Sequence, residues 1–204
     1  MKLPWVILAT VVMWGCSEAP KTATSESKKQ AEKALEPITG RQAFQQMYPA
    51  ARAWAPDCLP LQLKSIRLPE VKAEKGRAAA WLCTFVSQSR ARAKTYTWSA
   101  IEAEGNLHKG VFAGIEESYS PSRQLQPFLT AAIKTDSDEA LETAVSKSAD
   151  YLKKNPDKPV NFLLELTPRH PDLAWRIFWG ETIGTSDYSI YVDATTGQLL
   201  ERVR

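Results

Sequence analysis

The stretch that decides the fold is Ala174-Trp175-Arg176-Ile177-Phe178-Trp179, followed by Tyr188-Ser189-Ile190-Tyr191-Val192-Asp193-Ala194-Thr195-Thr196-Gly197-Gln198-Leu199-Leu200. Trp175, Ile177 and Trp179 share one face of the first run, and every second residue of the next run is apolar, a period typical of strands. Gly197 marks a tight turn before a short closing strand over 198–203. The C-terminal part therefore predicts an antiparallel sheet that ends in a hairpin.

A helix is predicted immediately upstream of this sheet. Asp136 followed by Glu139 matches a capping box, although aspartate replaces the usual serine or threonine. Leu141, Val145, Ser148 and Leu152 then recur on one helical face, and Pro156 ends the helix. The apolar run 160–166 is predicted to be a buried strand, and the Asp193 side chain is predicted to cap the turn that follows the strand at 188–193.

The first half of the chain shows the same kinds of pattern. Residues 41–54 predict a helix with one apolar stripe, in which Pro49 favours a kink or a late start. Alternation predicts strands over 59–66, 78–86, 95–103 and 107–115. Glu104-Gly105-Asn106 predicts the turn between the last two of these strands.

The spacing of landmarks is similar in the two halves. Ala80-Trp81 precedes Gly105 by 25 and 24 residues, and Ala174-Trp175 precedes Gly197 by 23 and 22 residues. This agreement predicts a repeat, with chance similarity between two hairpin-containing units as the alternative. The predicted fold class is α+β, with two tandem units that each pack a helix on an antiparallel sheet.

The C-terminal half resembles a PepSY domain. The resemblance rests on Val192-Asp193-Ala194-Thr195-Thr196-Gly197-Gln198-Leu199-Leu200, which follows Trp175-Arg176-Ile177, and it covers about 65 residues. The first half resembles the family less, with Glu102-Ala103-Glu104-Gly105 at its turn. The resemblance implies a PepSY/cystatin-like fold in an exported or membrane-attached protein, with a protease-inhibitory or regulatory role.

The N-terminus has the pattern of an export signal. Met1-Lys2 precedes thirteen mostly apolar residues, and Gly15 lies directly before Cys16. This end resembles the lipobox of bacterial lipoproteins, which implies a diacylglycerol on Cys16 and a membrane anchor. Ser17 favours the periplasmic face of the outer membrane if the source is Gram-negative. An ordinary signal peptide with an incidental cysteine, or an uncleaved short anchor, is the alternative.

The composition that follows Cys16 is too polar to form a packed core, which predicts a flexible, disordered tether. The predicted organisation is a lipoprotein signal peptide over 1–15, a tether over 16–39, a first α+β unit over 40–120, a connector over 121–135 and a PepSY-like unit over 136–204.

Two cysteines remain once Cys16 is assigned to the lipid. Cys58 and Cys83 form an even count in a chain predicted to be exported, which is compatible with a disulfide. Two small buried thiols are the alternative, since pairing does not follow from sequence.

The sequence shows no pattern that indicates catalysis. His108 and His170 have no second histidine or cysteine at ligand spacing, so neither a metal site nor a cofactor is expected. There is no nucleophile elbow and no phosphate-binding loop, and no catalytic residue is predicted. The net charge of +3 is small and its basic residues are dispersed, which argues against nucleic-acid binding.

The predicted function is therefore a lipid-anchored, non-enzymatic envelope protein that binds another envelope protein, still unidentified, through an open sheet face or edge. A small-ligand carrier, with a lipid or aromatic molecule in a Trp-lined groove, is the alternative. The candidate surface comprises Trp98, Trp175, Trp179, Arg90 and Arg92. The alternatives are that these tryptophans are core residues and that Arg90 and Arg92 lie in a solvated loop beside a sheet edge.

Overall fold

A computed structural model describes residues 35–72 and 74–203 of the chain. The predicted signal peptide, Cys16 and most of the predicted tether lie outside the described residues. The elements in chain order are α1 (Gly40–Trp54), β1 (Leu59–Ile66), β2 (Ala80–Ser87), β3 (Arg92–Ser99), β4 (Gly110–Ser118), a 3₁₀ turn (Thr130–Ala132), α2 (Ser137–Ser146), α3 (Ala149–Lys154), β5 (Val160–Glu165), β6 (Ala174–Trp179), β7 (Tyr188–Asp193) and β8 (Leu199–Val203).

All eight strands form one antiparallel sheet, in the order β4-β3-β2-β1-β5-β6-β7-β8. The prediction of two tandem helix-on-sheet units is therefore wrong. Strand β1 pairs directly with β5, with Leu63 opposite Leu164, so the two halves of the chain share one sheet. Separate sheets would each leave an inner edge with unpaired backbone N–H and C=O groups, and the β1–β5 pairing removes both edges.

One face of the sheet carries the core. Cross-strand partners on this face continue across the middle of the sheet, from Trp81 and Cys83 on β2 through Leu63 and Leu164 to Trp175 on β6. Helices α1 and α2 pack on the same face, α1 mainly against β2 and β3 and α2 against β6 and β7. A single hydrophobic cluster therefore includes residues of both helices and of strands from both halves.

Helix α1 begins at a full capping box. Thr39 is the N-cap, its side chain accepts a hydrogen bond from Gln42 N, and the Gln42 side chain accepts one from Thr39 N. Pro49 neither delays the helix nor ends it, since α1 runs without a break to Trp54. Proline at position 49 has no N–H to donate to the Gln45 carbonyl. Both residues are exposed, so water can donate a hydrogen bond to that carbonyl instead.

The predicted capping box of the second long helix is confirmed. The Asp136 carboxylate caps α2, and Glu139 accepts a 2.8 Å hydrogen bond from Asp136 N. The helix was expected to reach Pro156 without a break, but α2 ends at Ser146 and α3 begins at Ala149. Between them, the buried Ser148 hydroxyl donates to Ala144 O, and such local side-chain bonds compete with helical pairing.

The two predicted turns are confirmed. Asp193 Oδ1 accepts hydrogen bonds from Thr195 N and Thr196 N at 2.6 and 2.8 Å, while Gly197 takes the left-handed conformation at φ 72°. In the first half, Gly105 and Asn106 both have positive φ within the turn before β4.

Candidate protein-binding edge

Strand β4 forms one edge of the sheet. It pairs with β3 on its inner side, and no described strand pairs with its outer side. Its nine residues are mostly exposed. An edge strand of this length presents a row of backbone donors and acceptors to which another strand can add.

Three large apolar side chains lie exposed on this one strand. Val111 and Phe112 are each 39% exposed, and Ile115 is 80% exposed, the highest value among the exposed large hydrophobic residues of the described chain. The remaining five exposed large hydrophobic residues are scattered over other elements and loops. Several exposed apolar side chains gathered on one edge strand are typical of an interaction surface, whereas single exposed apolar residues are ordinary.

A β-bulge sets the direction of Ile115. Tyr96 pairs with Ala113 and Lys94 pairs with Glu116, so Gly114 and Ile115 together lie opposite Thr95. A Cβ atom at Gly114 would lie 3.0 Å from Thr95 O, which favours glycine at this position. The bulge leaves Ile115 in solvent instead of over the core.

The C-terminal end of β4 is fixed to α1 and to the β2–β3 turn. Glu116 accepts a 2.7 Å hydrogen bond from Trp54 Nε1 and lies 3.4 Å from Arg90 and 3.6 Å from Arg92. Arg90 also lies over the Trp54 ring and donates to Trp54 O. The Trp54 hydrogen bond, assisted by the two arginines, holds the pKa of Glu116 below its ordinary value.

The other end of β4 begins at the turn from β3. The rings of His108 and Phe112 lie 4.3 Å apart, and His108 Nδ1 is 3.1 Å from Glu102 Oε2. Glu102 also accepts a hydrogen bond from Lys109 N. Because both ends are held, β4 keeps its extended shape without a strand on its outer side.

The opposite edge of the sheet, β8, differs from β4. Leu199 is its exposed large apolar residue, and Glu201 accepts two 2.7 Å hydrogen bonds from Arg169. Arg202 donates to Lys147 O, at the C-terminus of α2. Strand β8 is therefore engaged by charged side chains and carries one exposed large apolar residue where β4 carries three.

The predicted tryptophan surface is not on the surface. Trp98, Trp175 and Trp179 are 4%, 0% and 3% exposed, because all three lie on the helix-covered face of the sheet. The Trp175 indole is also fixed by a 2.9 Å hydrogen bond to Thr135 O. These three residues belong to the core and cannot line a binding surface or an open groove.

Arg90 and Arg92 are exposed but not free, since both contact Glu116. They were predicted as part of a binding surface; the structure places them beside β4, where they hold the strand's C-terminal end. The apolar residues of β4 itself were not singled out from the sequence. Their signal in the sequence is that three large apolar residues occur within positions 111–115 of a predicted strand.

Both remaining cysteines are buried and occur as free thiols, with Cys58 1% and Cys83 0% exposed. Burial is the first cause that raises the pKa of each thiol. Neither is placed to act as a nucleophile, because the thiolate form is disfavoured and no solvent reaches the sulfur.

Within residues 35–72 and 74–203, no cluster of three or more His, Cys, Asp or Glu side chains could hold a metal ion. In the same ranges, no helix combines the length and the apolar content needed to span a bilayer.

Comparisons with known proteins give one structural match. No protein-family model matches the chain, and no curated protein is similar to it. The crystal structure of a "putative lipoprotein" from Clostridium difficile 630 matches with a TM-score of 0.47 and 12% identity, over 84% of this chain and 98% of that chain. At this level of similarity no function is transferred, and the PepSY resemblance stays a prediction from the sequence.

Proposed function

We propose that this chain is a lipid-anchored envelope protein whose folded part binds a strand of another protein along β4, without catalysing a reaction. The observation that carries the proposal is the exposure of Val111, Phe112 and Ile115 on an edge strand. Strand addition would satisfy the outer backbone groups of β4 and cover its exposed apolar side chains, Val111 on one face and Phe112 on the other. Main-chain pairing supplies the affinity, and the apolar side chains supply the specificity.

The anchoring part of the proposal rests on the Gly15-Cys16 pattern at the end of the apolar N-terminal run. A lipid on Cys16 places the folded part at the membrane surface, because each buried methylene contributes about 0.8 kcal/mol. If the source is Gram-negative, Ser17 favours the outer membrane. Binding of a protease strand, with inhibition as the consequence, is the sharpest version of the proposed function and follows from the PepSY resemblance.

Site-specific photocrosslinking in intact envelopes tests the binding edge. A photoreactive residue is placed at Ile115 in the full, C-terminally tagged chain, and in a second version at Leu129. Leu129 is 67% exposed and is next to Phe128, whose N–H donates a hydrogen bond to Pro60 O at the start of β1. It therefore reports on a surface away from β4. We expect one predominant adduct with a different protein from position 115 and none of that adduct from position 129.

Two variants then test whether β4 binds by strand addition. Phe112→Lys should reduce the adduct from position 115 several-fold, and Ile115→Lys should do the same for a photoreactive residue placed at position 112. Both proteins should stay folded, because both side chains are exposed. Equal capture from Leu129, an adduct with a second copy of this chain, or capture unaffected by both variants would contradict the proposal. If the captured partner is a protease and this chain leaves its activity unchanged, only the proposed inhibitory role is contradicted.

A further inference from the structure

The two halves of the chain are connected by an exposed segment that follows β4. At its start, Tyr119 N donates a 2.9 Å hydrogen bond to Ala91 O. At its end, Gln126 N donates a 2.9 Å hydrogen bond to Leu166 O. Residues 120–124, between these two points, are all exposed and belong to no helix or strand. The connecting segment is therefore fixed at both ends and open to solvent between them.

The hydrogen bonds within the connecting segment are local. Gln124 N donates to the Ser122 hydroxyl at 3.0 Å, and the Gln126 side chain donates to Arg123 O at 3.4 Å. Pro121 has no N–H to donate, and it restricts the residue before it to extended conformations. An exposed backbone that is not bonded to the rest of the fold can enter the cleft of a protease without unfolding the protein.

Arg123 lies in the middle of the connecting segment and is exposed. The other arginines of the described chain are held by the structure around them. Arg41 and Arg52 lie in α1, Arg92, Arg176 and Arg202 lie in strands, Arg67, Arg90 and Arg169 each pair with a glutamate, and Arg77 N bonds to Glu74 O. An enzyme that cleaves after arginine therefore finds its accessible substrate at Arg123.

We infer that the Arg123–Gln124 bond is a processing site for an endoprotease that cleaves after arginine, and that the processed chain persists as a two-part protein. Hydrolysis adds one water molecule across this amide. Arg123 gains a C-terminal carboxylate, and Gln124 keeps the nitrogen as a new N-terminal amine. One part then carries α1 and β1–β4, and the other carries α2, α3 and β5–β8.

The contacts that join the two parts do not pass through the connecting segment. Strand β1 pairs with β5. The Ser137 hydroxyl accepts a 2.8 Å hydrogen bond from Gly40 N and donates one of 2.6 Å to Gly76 O. The rings of Trp81 and Trp175 lie 6.3 Å apart, and both are fully buried. A cut after Arg123 leaves these contacts in place, whereas separating the parts exposes the shared core to water.

Limited digestion with clostripain, which cleaves after arginine, tests the site. The protein is the full chain carrying Cys16→Ser, in which residues 1–39 contain no arginine. We expect one cut under native conditions, and the masses of the two fragments should place it between Arg123 and Gln124. The fragments should elute together in native size-exclusion chromatography and separate in urea.

Thermal unfolding of the cut protein gives a second readout of the two-part state. Its midpoint should rise with protein concentration, because refolding requires two separate chains to meet. The midpoint of the uncut chain should be independent of concentration.

Two variants localise the cut. Arg123→Gln should slow the native digestion by about tenfold or more, because cleavage at any other arginine requires local unfolding. Arg52→Gln removes an exposed arginine from the last turn of α1 and should leave the rate of digestion unchanged. Both positions are exposed, so both variants should keep the parental unfolding temperature.

The inference is overturned if clostripain leaves the native chain intact or cuts it first at another arginine. It is also overturned if the fragments separate without denaturant, or if Arg123→Gln is digested as fast as the parent. None of these results bears on strand addition at β4, since that proposal is read from crosslinks at Ile115. Conversely, loss of the β4 adduct would leave cleavage after Arg123 unchanged.

Discussion

The Thr39 hydroxyl donates a 2.6 Å hydrogen bond to the Asp136 carboxylate, although each of these residues is the N-cap of a different helix. Asp136 also accepts hydrogen bonds from Arg41 N at 2.8 Å and from Ser137 N at 2.7 Å. One buried carboxylate therefore caps the N-termini of both α1 and α2, where the helix dipoles favour negative charge. This contact ties the first half of the chain to the second above the shared sheet.

Loss of the Asp136 carboxylate should destabilise the whole fold. Asp136→Ala leaves the first-turn donors of two helices unsatisfied, and each lost cap costs about 0.5–2 kcal/mol, so we expect a loss of about 1–4 kcal/mol in the free energy of unfolding. Urea denaturation measures it. Asp150→Ala, in the exposed first turn of α3, is the control and should cost under about 0.5 kcal/mol. Equal losses of unfolding free energy in the two variants would show that the shared cap stabilises the fold no more than an ordinary exposed residue does.

Gly40 should resist substitution, even though alanine is the better helix former. A Cβ at position 40 would lie 2.6 Å from the Trp175 ring and 3.1 Å from the Trp81 ring. Neither ring can move easily, because the Trp81 and Trp175 indoles are both buried and hydrogen-bonded to backbone carbonyls. Overpacking costs about 1–3 kcal/mol, against a gain of up to about 1 kcal/mol in helix propensity.

The net expectation for Gly40→Ala is therefore a lower midpoint of thermal unfolding. Gly184→Ala is the matched control, because a Cβ there meets no atom within 4 Å, and its midpoint should stay equal or rise. If Gly40→Ala is as stable as the parent, Trp81 and Trp175 can move enough to accommodate the added methyl group.

Glu116 should make the fold sensitive to acid. Its pKa in the folded state is lowered from 4.5, first by the Trp54 hydrogen bond. The unfolded chain then binds the proton more readily, so Glu116 stabilises the fold above its ordinary pKa and loses this effect as the pH falls through the folded value. The unfolding free energies of the parent and of Glu116→Gln should differ at pH 7 and converge as the pH falls below the ordinary value of 4.5. A difference in unfolding free energy that does not change with pH would contradict this role of the Glu116 carboxylate. The neighbouring exposed residue provides the control variant, Glu117→Gln.

The two buried thiols should be unreactive until the protein unfolds. Burial raises the pKa of both Cys58 and Cys83 and excludes reagent from the sulfur atoms. Iodoacetamide should modify neither residue in the native protein and both residues in urea without added reductant. Intact-mass measurement of Cys16→Ser protein counts the modified thiols. If neither thiol reacts in urea until reductant is added, the two cysteines are bridged in the isolated protein.

Local pattern was sufficient to predict most elements. The strand periods at Trp175 and Ile190, the Asp136–Glu139 capping box and the Asp193 turn are interactions between near neighbours in sequence, so they can be recognised without a fold. The break between α2 and α3 was missed because Ser148 fits the same helical face that its hydroxyl helps to interrupt.

Only the tertiary structure decided how these elements are joined. The pairing of Leu63 with Leu164 spans 101 residues of sequence, and apolar alternation in β1 and β5 is the same whether the strands meet each other or solvent. The tertiary structure also decided which apolar residues are exposed. Trp175 and Ile115 are both large and apolar in alternating strands, but Trp175 lies under the helices, whereas a bulge in the edge strand turns Ile115 into solvent. Burial depends on which element packs on each face of the sheet, and no local stretch of sequence contains that information.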